Sequence, residues 1–403
     1  MKVVTLKDVA FFLNGDRGKN YPSGSDFKEN GIPFINAGDL SDDRTLKRNS
    51  FKYISPEHFK KLGGAKILKN DILYCLRGSL GKFAMHTENY NGSIASSLVV
   101  LRSKQNVLSK YLFYYLGSDI PQRLAIKNDN GTAQPNLSAK NLKTFEILLP
   151  SIEGQKKIVD ILDNAAALRD KAKQLLTEYD ALAQSIFLDM FGDPLGNPKK
   201  WKVKNLKELS TKIGSGNTPK GGSKVYVDEG ITFFRSQNVW KNNLVMDDIA
   251  FIDQKTHDGM KKSSLKHGDI LMTKTGRINT ENSSLGRAAM YLGEDDKANL
   301  NGHVYLIRLK KEVLNEYILF ILTTNQYREH IRRVCVGGID KRQLNKNHLE
   351  EFPIIYPPME LQKEFAEKLK LIEQQKELAK QELKESEDLF NCLLQKAFKG
   401  ELV

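Results

Sequence analysis

The sequence predicts an α+β fold in which a mixed α/β domain occurs twice and each copy is followed by a long helix. Three observations lead to this prediction. The chain has 403 residues, which is too long for one ordinary domain. It repeats itself once at an offset near 200 residues, and each repeat ends in a heptad pattern. We therefore expect two domains with separate cores, joined by helices.

The internal repeat consists of short segments that recur in the same order. IleLeuLeuPro at 147–150 and Gln155 correspond to IleIleTyrPro at 354–357 and Gln362, 207 positions later. SerLeuGlyLysPheAlaMet at 79–85 recurs as SerLeuGlyArgAlaAlaMet at 284–290, an offset of 205, whereas AspIleLeu at 71–73 recurs at 269–271, an offset of 198. The second copy therefore has about seven extra residues between Thr275 and Ser283, as a surface loop would allow.

Each copy contains short apolar runs that are bounded by Gly, Asn and Asp, a pattern typical of β-strands. These runs lie at 32–36, 67–76 and 97–101 in the first copy, and at 231–234, 270–273 and 304–309 in the second. Helical runs follow at 109–115 and 315–322, and polar loops at 129–136 and 337–345. We expect one mixed domain at residues 1–150 and its homologue at residues 193–357.

The segment after each domain carries apolar residues at the a and d positions of a heptad. The first stripe is Ile158, Leu162, Ala165, Arg169, Ala172, Leu176, Tyr179, Ala183 and Ile186. The second, offset by 207 throughout, is Phe365, Leu369, Ile372, Lys376, Ala379, Leu383, Ser386, Phe390 and Leu393. Pro150 and Pro357 precede the helices, and GlyAspPro at 192–194 ends the first. We expect helices at 151–192 and 358–403.

These two helices are expected to pair as an antiparallel coiled coil, because matching apolar stripes can be buried against each other. The first helix would then lead to the second domain and the second helix would return, which gives a pseudo-two-fold molecule. Helices of this length span at most ~60 Å at ~1.5 Å per residue and would act as a spacer. The residues expected to hold the pair together and to dock partners are Ile158, Leu162, Ala165, Leu176, Ile186, Phe365, Leu369, Ile372, Leu383 and Leu393. The alternative is a core helix in each domain, but such helices seldom approach 40 residues.

Composition narrows the class of partner. The chain has 62 Lys and Arg against 49 Asp and Glu, a formal charge of +13, which favours a polyanion such as nucleic acid. Excess lysine that only keeps the protein soluble is the alternative. Three separated cysteines and seven histidines without ligand spacing predict neither a disulfide framework nor a metal site. No run of 18 apolar residues is present, so we expect a cytoplasmic protein without a membrane span.

Bases are read by Arg or Lys on guanine and by Asn or Gln on adenine, presented on loops or strand ends. In the first copy this selects Arg77, Ser79, Lys82, Gln134 and Asn136. In the second copy it selects Lys274, Thr275, Arg277, Arg287, Lys341, Arg342 and Gln343. Asn36, Arg235, Gln237 and Asn238 follow matching strands and are further candidates. For each Arg and Lys, contact with phosphates alone is the alternative.

Four segments resemble the specificity subunits of Type I restriction-modification systems, and with the duplicated plan the resemblance covers the whole chain. They are GlyThrAlaGlnProAsnLeuSer at 131–138, ProSerIleGluGlyGlnLysLysIle at 150–158, AspMetPheGlyAspPro at 189–194 and LeuLeuGlnLysAlaPheLysGlyGluLeu at 393–402. The resemblance implies two target recognition domains, each of which binds one half of a bipartite, asymmetric site in double-stranded DNA. It also implies that the coiled coil docks two methyltransferase subunits and that restriction subunits join them. S-adenosylmethionine, ATP and Mg would belong to those subunits, with no cofactor in this chain, and the location would be the prokaryotic nucleoid.

A catalytic role would require motifs that this sequence does not contain. Adenine methyltransferases need a glycine-rich turn and an Asn/Asp-Pro-Pro-Tyr/Phe tetrapeptide that holds the flipped base. AsnProLysLys at 197–200 and IleTyrProPro at 355–358 have the wrong residues, and no GxxxxGK[ST] loop is present. GluLeuLys at 382–384 resembles the end of a nuclease motif but lies on the second heptad helix, where a solvated face explains it. We expect no catalytic residues here; a structural adaptor and a divergent nuclease or methyltransferase stay open as alternatives.

Overall fold

Two sets of strands and helices follow one another in the same order along the chain. The computed structural model describes residues 2–131, 134–278, 283–338 and 340–402. The chain divides into two units, Met1–Leu175 with Leu378–Val403 (unit 1) and Leu176–Glu377 (unit 2). Each unit thus contains one domain together with a part of each long helix.

Unit 1 places its strands in two main sheets. The strands are β1 Lys2–Thr5, β2 Ala10–Asn14, β3 Phe27–Lys28, β4 Ile32–Ile35, β5 Lys52–Ile54, β6 Lys66–Ile67, β7 Ile72–Cys75, β8 Phe83–Met85, β9 Gly92–Ile94, β10 Leu98–Ser103 and β11 Glu146–Leu149. The helices are α1 Leu6–Val9, α2 Pro56–Lys61, α3 Ser109–Gly117, α4 Asp119–Lys127, α5 Ala139–Lys143 and the long α6 Ile152–Phe191. One sheet has the order β2-β10-β7-β8, the other β3-β5-β4-β9-β6, and β1 pairs with β11.

Unit 2 repeats this plan with some additional short strands. Its strands are β12 Val203–Asn205, β13 Ser210–Ser215, β14 Tyr226–Val227, β15 Ile231–Phe234, β16 Val239–Trp240, β17 Asn243–Leu244, β18 Ala250–Ile252, β19 Ile270–Thr273, β20 Thr275–Gly276, β21 Ala288–Met290, β22 Ala298–Leu300, β23 Val304–Leu309, β24 Val336–Gly338, β25 Lys341–Gln343 and β26 Pro353–Ile355. Its helices are α7 Leu206–Leu209, α8 Gln254–Gly259, α9 Asn315–Thr323, α10 Asn325–Val334, α11 Lys346–Glu350 and the long α12 Met359–Lys399.

The sheet orders confirm that the two domains are homologous. β13-β23-β19-β21 matches β2-β10-β7-β8, and β14-β18-β15-β22 matches the first four strands of the other sheet of unit 1. In both units one pair in this second sheet is parallel, β4 with β9 and β15 with β22, whereas its other pairs are antiparallel. The α+β class and the duplication predicted from sequence are therefore confirmed.

Two predictions about local structure were wrong. The apolar run 67–76 forms two strands in different sheets, β6 and β7, because Asn70 adopts a left-handed conformation at φ 72° and turns the chain between them. The expected loop at 337–345 contains the hairpin β24–β25, which pairs with β20. This three-stranded sheet begins inside the predicted insertion, and residues 279–282 of that insertion lie outside the described ranges.

Within unit 1 the start of α6 packs antiparallel against the end of α12. Ile158, Leu162 and Ala165 share one apolar core with Phe390 and Phe398. Farther along α6, the guanidinium of Arg169 lies 4.8 Å from the centre of the Phe390 ring, and Lys173 Nζ lies 3.3 Å from Glu387. As residue numbers rise on α6 they fall on α12, so the segments run antiparallel.

Unit 2 contains the opposite ends of the same helices, and these are also antiparallel. Lys376 Nζ binds Asp180 Oδ1 at 2.8 Å, and the ring centres of Phe187 and Phe365 lie 5.4 Å apart. Beyond Ala183 the buried positions are Phe187 and Phe191, in place of Ile186, and they are the 207-offset counterparts of Leu394 and Phe398. Beyond Ala183 the alternating steps of the heptad therefore give way to steps of four.

Candidate nucleic-acid interface

In unit 1 the segment after β7 pairs with the polar loop before α5. Leu137 N donates to Leu76 O at 2.8 Å, Gly78 N donates to Pro135 O at 3.0 Å, and Arg77 and Asn136 form an isolated antiparallel bridge. Two parts of the predicted site that are far apart in sequence are thus adjacent in space.

A hydrogen bond joins the two side chains of this bridge. Arg77 Nε donates to Asn136 Oδ1 at 3.1 Å. The loop is fixed from the other side by Asp129, whose Oδ1 accepts from Asn136 N at 2.7 Å and from Gly131 N at 2.8 Å. The hydrogen bond from Asn136 N, and to a lesser extent that from Gly131 N, lowers the pKa of Asp129. The loop therefore closes around an ionised carboxylate, with Gln134 exposed beside it.

Unit 2 has an equivalent ladder of paired backbone segments, here between β20 and β25, but its side chains differ. Thr275 on β20 faces Gln343 on β25, Gly276 faces Arg342, and Leu344 N donates to Lys274 O at 2.9 Å. Arg342 Nη1 donates to Cys335 O at 3.2 Å, which directs this guanidinium toward the protein. Lys341 at the hairpin and Arg277 after β20 are exposed. The structure thus brings Lys274, Thr275, Lys341, Arg342 and Gln343 together.

Lys82 and Arg287 occupy equivalent turns, before β8 and β21, and both are engaged within the protein. Lys82 Nζ binds Asp42 Oδ1 at 2.7 Å. Arg287 stacks on Trp240, with 3.7 Å from the guanidinium carbon to the ring centre, and its Nε donates to Ser283 O at 3.0 Å. Burial lowers the pKa of Arg287. Two different interactions thus hold equivalent turns, one to Asp42 in the loop after β4 and the other to Trp240 on β16. Ser79 in the first turn is exposed.

The candidates that follow β4 and β15 mainly hold their own loops. Asn36 Nδ2 donates to Phe34 O at 3.2 Å. Asn238 is only 1% exposed, and its Nδ2 donates to Val245 O at 3.0 Å. Arg235 Nη2 lies 3.1 Å from Asp248 Oδ1, while Gln237 Nε2 donates to Asp248 Oδ2 at 2.7 Å. Hydrogen bonds from Gln237 and Arg235 lower the pKa of Asp248, so this loop also closes on a carboxylate.

Sequence reasoning missed Arg17 and Trp240. Arg17 shares with Arg77 a cleft of about 360 Å³, which is lined by Asn14, Gly15, Arg17, Leu76, Arg77, Asn136, Leu137, Ser138 and Ala139. A Cβ on Gly15 would lie 2.2 Å from Ala95 O, so glycine is required where the chain enters the Arg17 turn. The two glycines around Arg17, Gly15 and Gly18, were the sequence feature that could have indicated it. No local sequence feature indicates Trp240, because its partner Arg287 is 47 residues away.

The predicted helix residues fall into two groups by exposure. Ile158, Leu162, Ala165, Phe365 and Ile372 are buried, whereas Leu176, Ile186, Leu369, Leu383 and Leu393 are partly buried. The exposed leucines of the same helices form a different set, Leu168, Leu182, Leu371, Leu378 and Leu389. Side chains available to a partner are thus found beside the heptad stripe.

The His, Cys, Asp and Glu side chains of the described ranges show no further kind of site. No group of three or more His, Cys, Asp or Glu side chains there could hold a metal ion. Cys75, Cys335 and Cys392 are free thiols. No helix in the described part of the chain is both long and apolar enough to span a membrane.

Comparison with known proteins gives a consistent result. The family model for the Type I restriction modification DNA specificity domain matches twice, at residues 1–178 and 198–387. The chain is 25% identical over 366 residues to the Type I restriction enzyme MjaVIII specificity subunit of Methanocaldococcus jannaschii, covering 84% of this chain and 82% of that protein. It is 19% identical to the EcoKI specificity subunit of Escherichia coli K12, covering 99% of this chain and 89% of that protein.

Solved structures show the same fold. The S subunit of a Type I restriction-modification system from M. genitalium matches with a TM-score of 0.51 at 17% identity, over 98% of this chain and 96% of that one. A second match is a chain from a structure on complex assembly and conformational transition of the type I R-M system. It has a TM-score of 0.60 at 18% identity, and the match covers 99% of this chain and 98% of that one. Because the family model covers both repeats, the chain belongs to the Type I restriction-modification DNA specificity family, as a non-catalytic subunit that recognises DNA sequence together with other subunits of such a system.

Proposed function

We propose that this specificity subunit reads a bipartite, asymmetric DNA target, with residues 1–150 reading one half and residues 193–357 the other. The observation that carries the proposal is the ladder present in both units, with Arg77 opposite Asn136 in one and Thr275 opposite Gln343 in the other. The same backbone scaffold thus presents different hydrogen-bonding groups, and different groups select different bases. Two unequal readers imply two unequal half-sites.

The partners in this proposal are two methyltransferase subunits, which dock along α6 and α12, and restriction subunits that join them. Exposed leucines on both helices, such as Leu168 and Leu389, support docking because apolar side chains on a long helix are suited to a protein interface. S-adenosylmethionine, ATP and Mg would be bound by those subunits. The complex would act in the prokaryotic cytoplasm on the DNA of the nucleoid.

Charge supports DNA as the ligand of both domains. The formal charge of +13 raises the local concentration of a polyanion, and cations that contact phosphates displace condensed counterions. Phosphate contacts would fix position along the duplex, and the ladder residues would supply the choice of base.

The test is methylome sequencing of a methylation-free host that expresses this chain with the methyltransferase encoded beside it. We expect a methylated adenine in each half of one interrupted, asymmetric motif, and no such methylation when this chain is left out. The control pairs the same methyltransferase with another specificity subunit, to show that the enzyme is active. If the control methylates and this chain directs no methylation, the proposal is wrong and the adaptor alternative takes its place.

A further inference from the structure

We propose that Arg77 reads a guanine in the half-site bound by residues 1–150, and that Asn136 is the positioning residue that orients it. This inference rests on the proposed function and adds the base that one reader selects. It concerns the cleft of unit 1 that contains both side chains.

One nitrogen of the Arg77 guanidinium, Nε, is hydrogen-bonded to a side chain of the described residues. Its Nε donates to Asn136 Oδ1 at 3.1 Å, and no other side-chain bond of Arg77 occurs among the described residues. The side chain is exposed. The terminal Nη1 and Nη2 groups therefore remain available as a two-pronged donor. Guanine presents two acceptors, O6 and N7, in the major groove, and a paired arginine donor fits them better than any other base edge.

Asn136 is suited to orienting Arg77, because its side-chain oxygen Oδ1 accepts the hydrogen bond from Arg77 Nε. The backbone of Asn136 is fixed by two hydrogen bonds. Its N–H donates to Asp129 Oδ1 at 2.7 Å, and its carbonyl oxygen accepts from Asn130 N at 2.9 Å. A fixed acceptor limits the rotamers of Arg77 before DNA binds, which favours specific binding.

The surroundings of Arg77 suit an anionic duplex. The described residues that line the cleft include two arginines, Arg17 and Arg77, and no aspartate or glutamate. The nearby carboxylate of Asp129 accepts from Asn136 N and Gly131 N. Arg17 is exposed, and its Nη2 donates to Ser96 O at 3.3 Å. In this proposal Arg77 contacts a base, and Arg17 in the same cleft contacts a phosphate.

Unit 2 lacks an arginine at the equivalent position, which limits the assignment to one half-site. Thr275 takes the place of Arg77, and Gln343 that of Asn136. The guanidinium of Arg342, which lies on the paired strand β25, donates to Cys335 O. The guanine assignment therefore applies only to the domain of residues 1–150.

The experiment compares methylomes directed by the full complex carrying the wild-type chain, Arg77→Lys or Arg77→Ala. The matched control is Arg123→Ala, because Arg123 is an exposed arginine of the same unit that pairs with Asp119 outside the cleft. We expect one G·C pair in the half read by residues 1–150 to become degenerate in Arg77→Ala, with every other position unchanged and the preference for that pair lower by roughly tenfold or more. Arg77→Lys should keep a weaker preference for the same pair, because lysine donates to guanine without the planar fork of arginine. Arg123→Ala should keep the wild-type motif.

Two variants of Asn136 distinguish a role in orienting the Arg77 guanidinium from a role in folding the loop. Asn136→Ala removes the acceptor and should loosen the same G·C position. Asn136→Asp keeps an oxygen acceptor and should keep the preference, while its negative charge weakens binding at all sequences alike. Fluorescence anisotropy with the target duplex, and with a duplex in which this one pair is replaced, measures the same preference without catalysis.

Three results would overturn the inference. One is a half-site for residues 1–150 that contains no G·C pair. Another is an unchanged motif with binding weakened uniformly and a salt slope reduced by about one, which would make Arg77 a phosphate contact. The third is a preference that survives in Arg77→Ala. A wild-type chain that directs no methylation would instead contradict the proposed function, so the two failures are distinguishable.

Discussion

Two buried aspartates at equivalent places in the units, Asp71 and Asp269, each bind one arginine through two hydrogen bonds. Arg102 Nε and Nη2 donate to the two oxygens of Asp71, both at 2.8 Å, and Arg308 does the same to Asp269 at 2.8 and 2.7 Å. The hydrogen bond to Asp71 raises the pKa of Arg102. These pairs hold β7 and β19, the strands that lead directly into the candidate interface.

Replacing Arg102 with Met should destabilise the protein by about 3 kcal/mol, because the buried Asp71 carboxylate would lose its partner. The measurement is the urea midpoint and slope of unfolding. The control, Arg123→Met, breaks an ion pair in which both side chains are largely exposed, and it should change stability by less than about 1 kcal/mol. Equal losses in the two variants would mean that burial of Asp71 does not determine the cost.

For single residues, the sequence predicted which side-chain types occur at the candidate interface better than it predicted what each side chain does there. It selected Arg77 and Asn136, which the fold brings together, because residue type and loop position are local properties. It also selected Asn238, which is buried, since nothing local distinguishes an amide that reads DNA from one that closes its own turn. Trp240 was missed because stacking on Arg287 depends on tertiary structure.

At the scale of elements, the long helices bury one stripe and expose another. Leu162 is fully buried against the core that contains Phe390 and Leu394, whereas Leu168 on the same helix is 56% exposed. The stability of these helices should therefore depend on packing within the units and not on the exposed leucines.

Leu162→Ala should cost about 2 to 5 kcal/mol, since it leaves a cavity in the core of unit 1. Leu168→Ala, the matched control in the same helix, should change stability by no more than about 0.5 kcal/mol. Thermal unfolding followed by circular dichroism measures both. A similar loss in both variants would contradict packing of Leu162 as the source of the cost, because alanine is at least as good a helix former as leucine.

Helix positions were predictable because the heptad and the flanking prolines are encoded locally, and α6 and α12 begin within two residues of Pro150 and Pro357. The strands were harder to delimit. One apolar run became β6 and β7 because a single left-handed residue, Asn70, divides it. The β24–β25 hairpin was expected as a loop, since its polar residues are stabilised by pairing with β20, which sequence does not reveal.

At the scale of the whole molecule, duplication and net charge lead to a prediction about affinity. Binding of the assembled complex to its target should fall steeply with salt, by about 10³-fold between 50 and 200 mM if six phosphates are contacted. Fluorescence anisotropy over this range measures the slope. Weak binding that does not depend on salt would instead favour a structural adaptor.

Exchange of residues 1–150 for the corresponding domain of another family member should change one half of the methylated motif and leave the other half intact. The junction at Pro150 keeps β1 and its partner β11 in the same exchanged piece. The donor should retain aromatic residues at the places of Tyr111 and Tyr115, whose ring centres lie 5.2 and 5.5 Å from that of Phe398 on α12. Without those contacts the end of α12 would lose part of its core.

The matched control is exchange of residues 193–357, which should change the other half only. Each domain has its own core and its own ladder, so the base preferences of one should not depend on the side chains of the other. Methylome sequencing of both chimeras gives the four half-sites directly. A change in both halves on exchange of one domain would contradict independent reading, and it would mean that bases on each side are selected by residues from both domains.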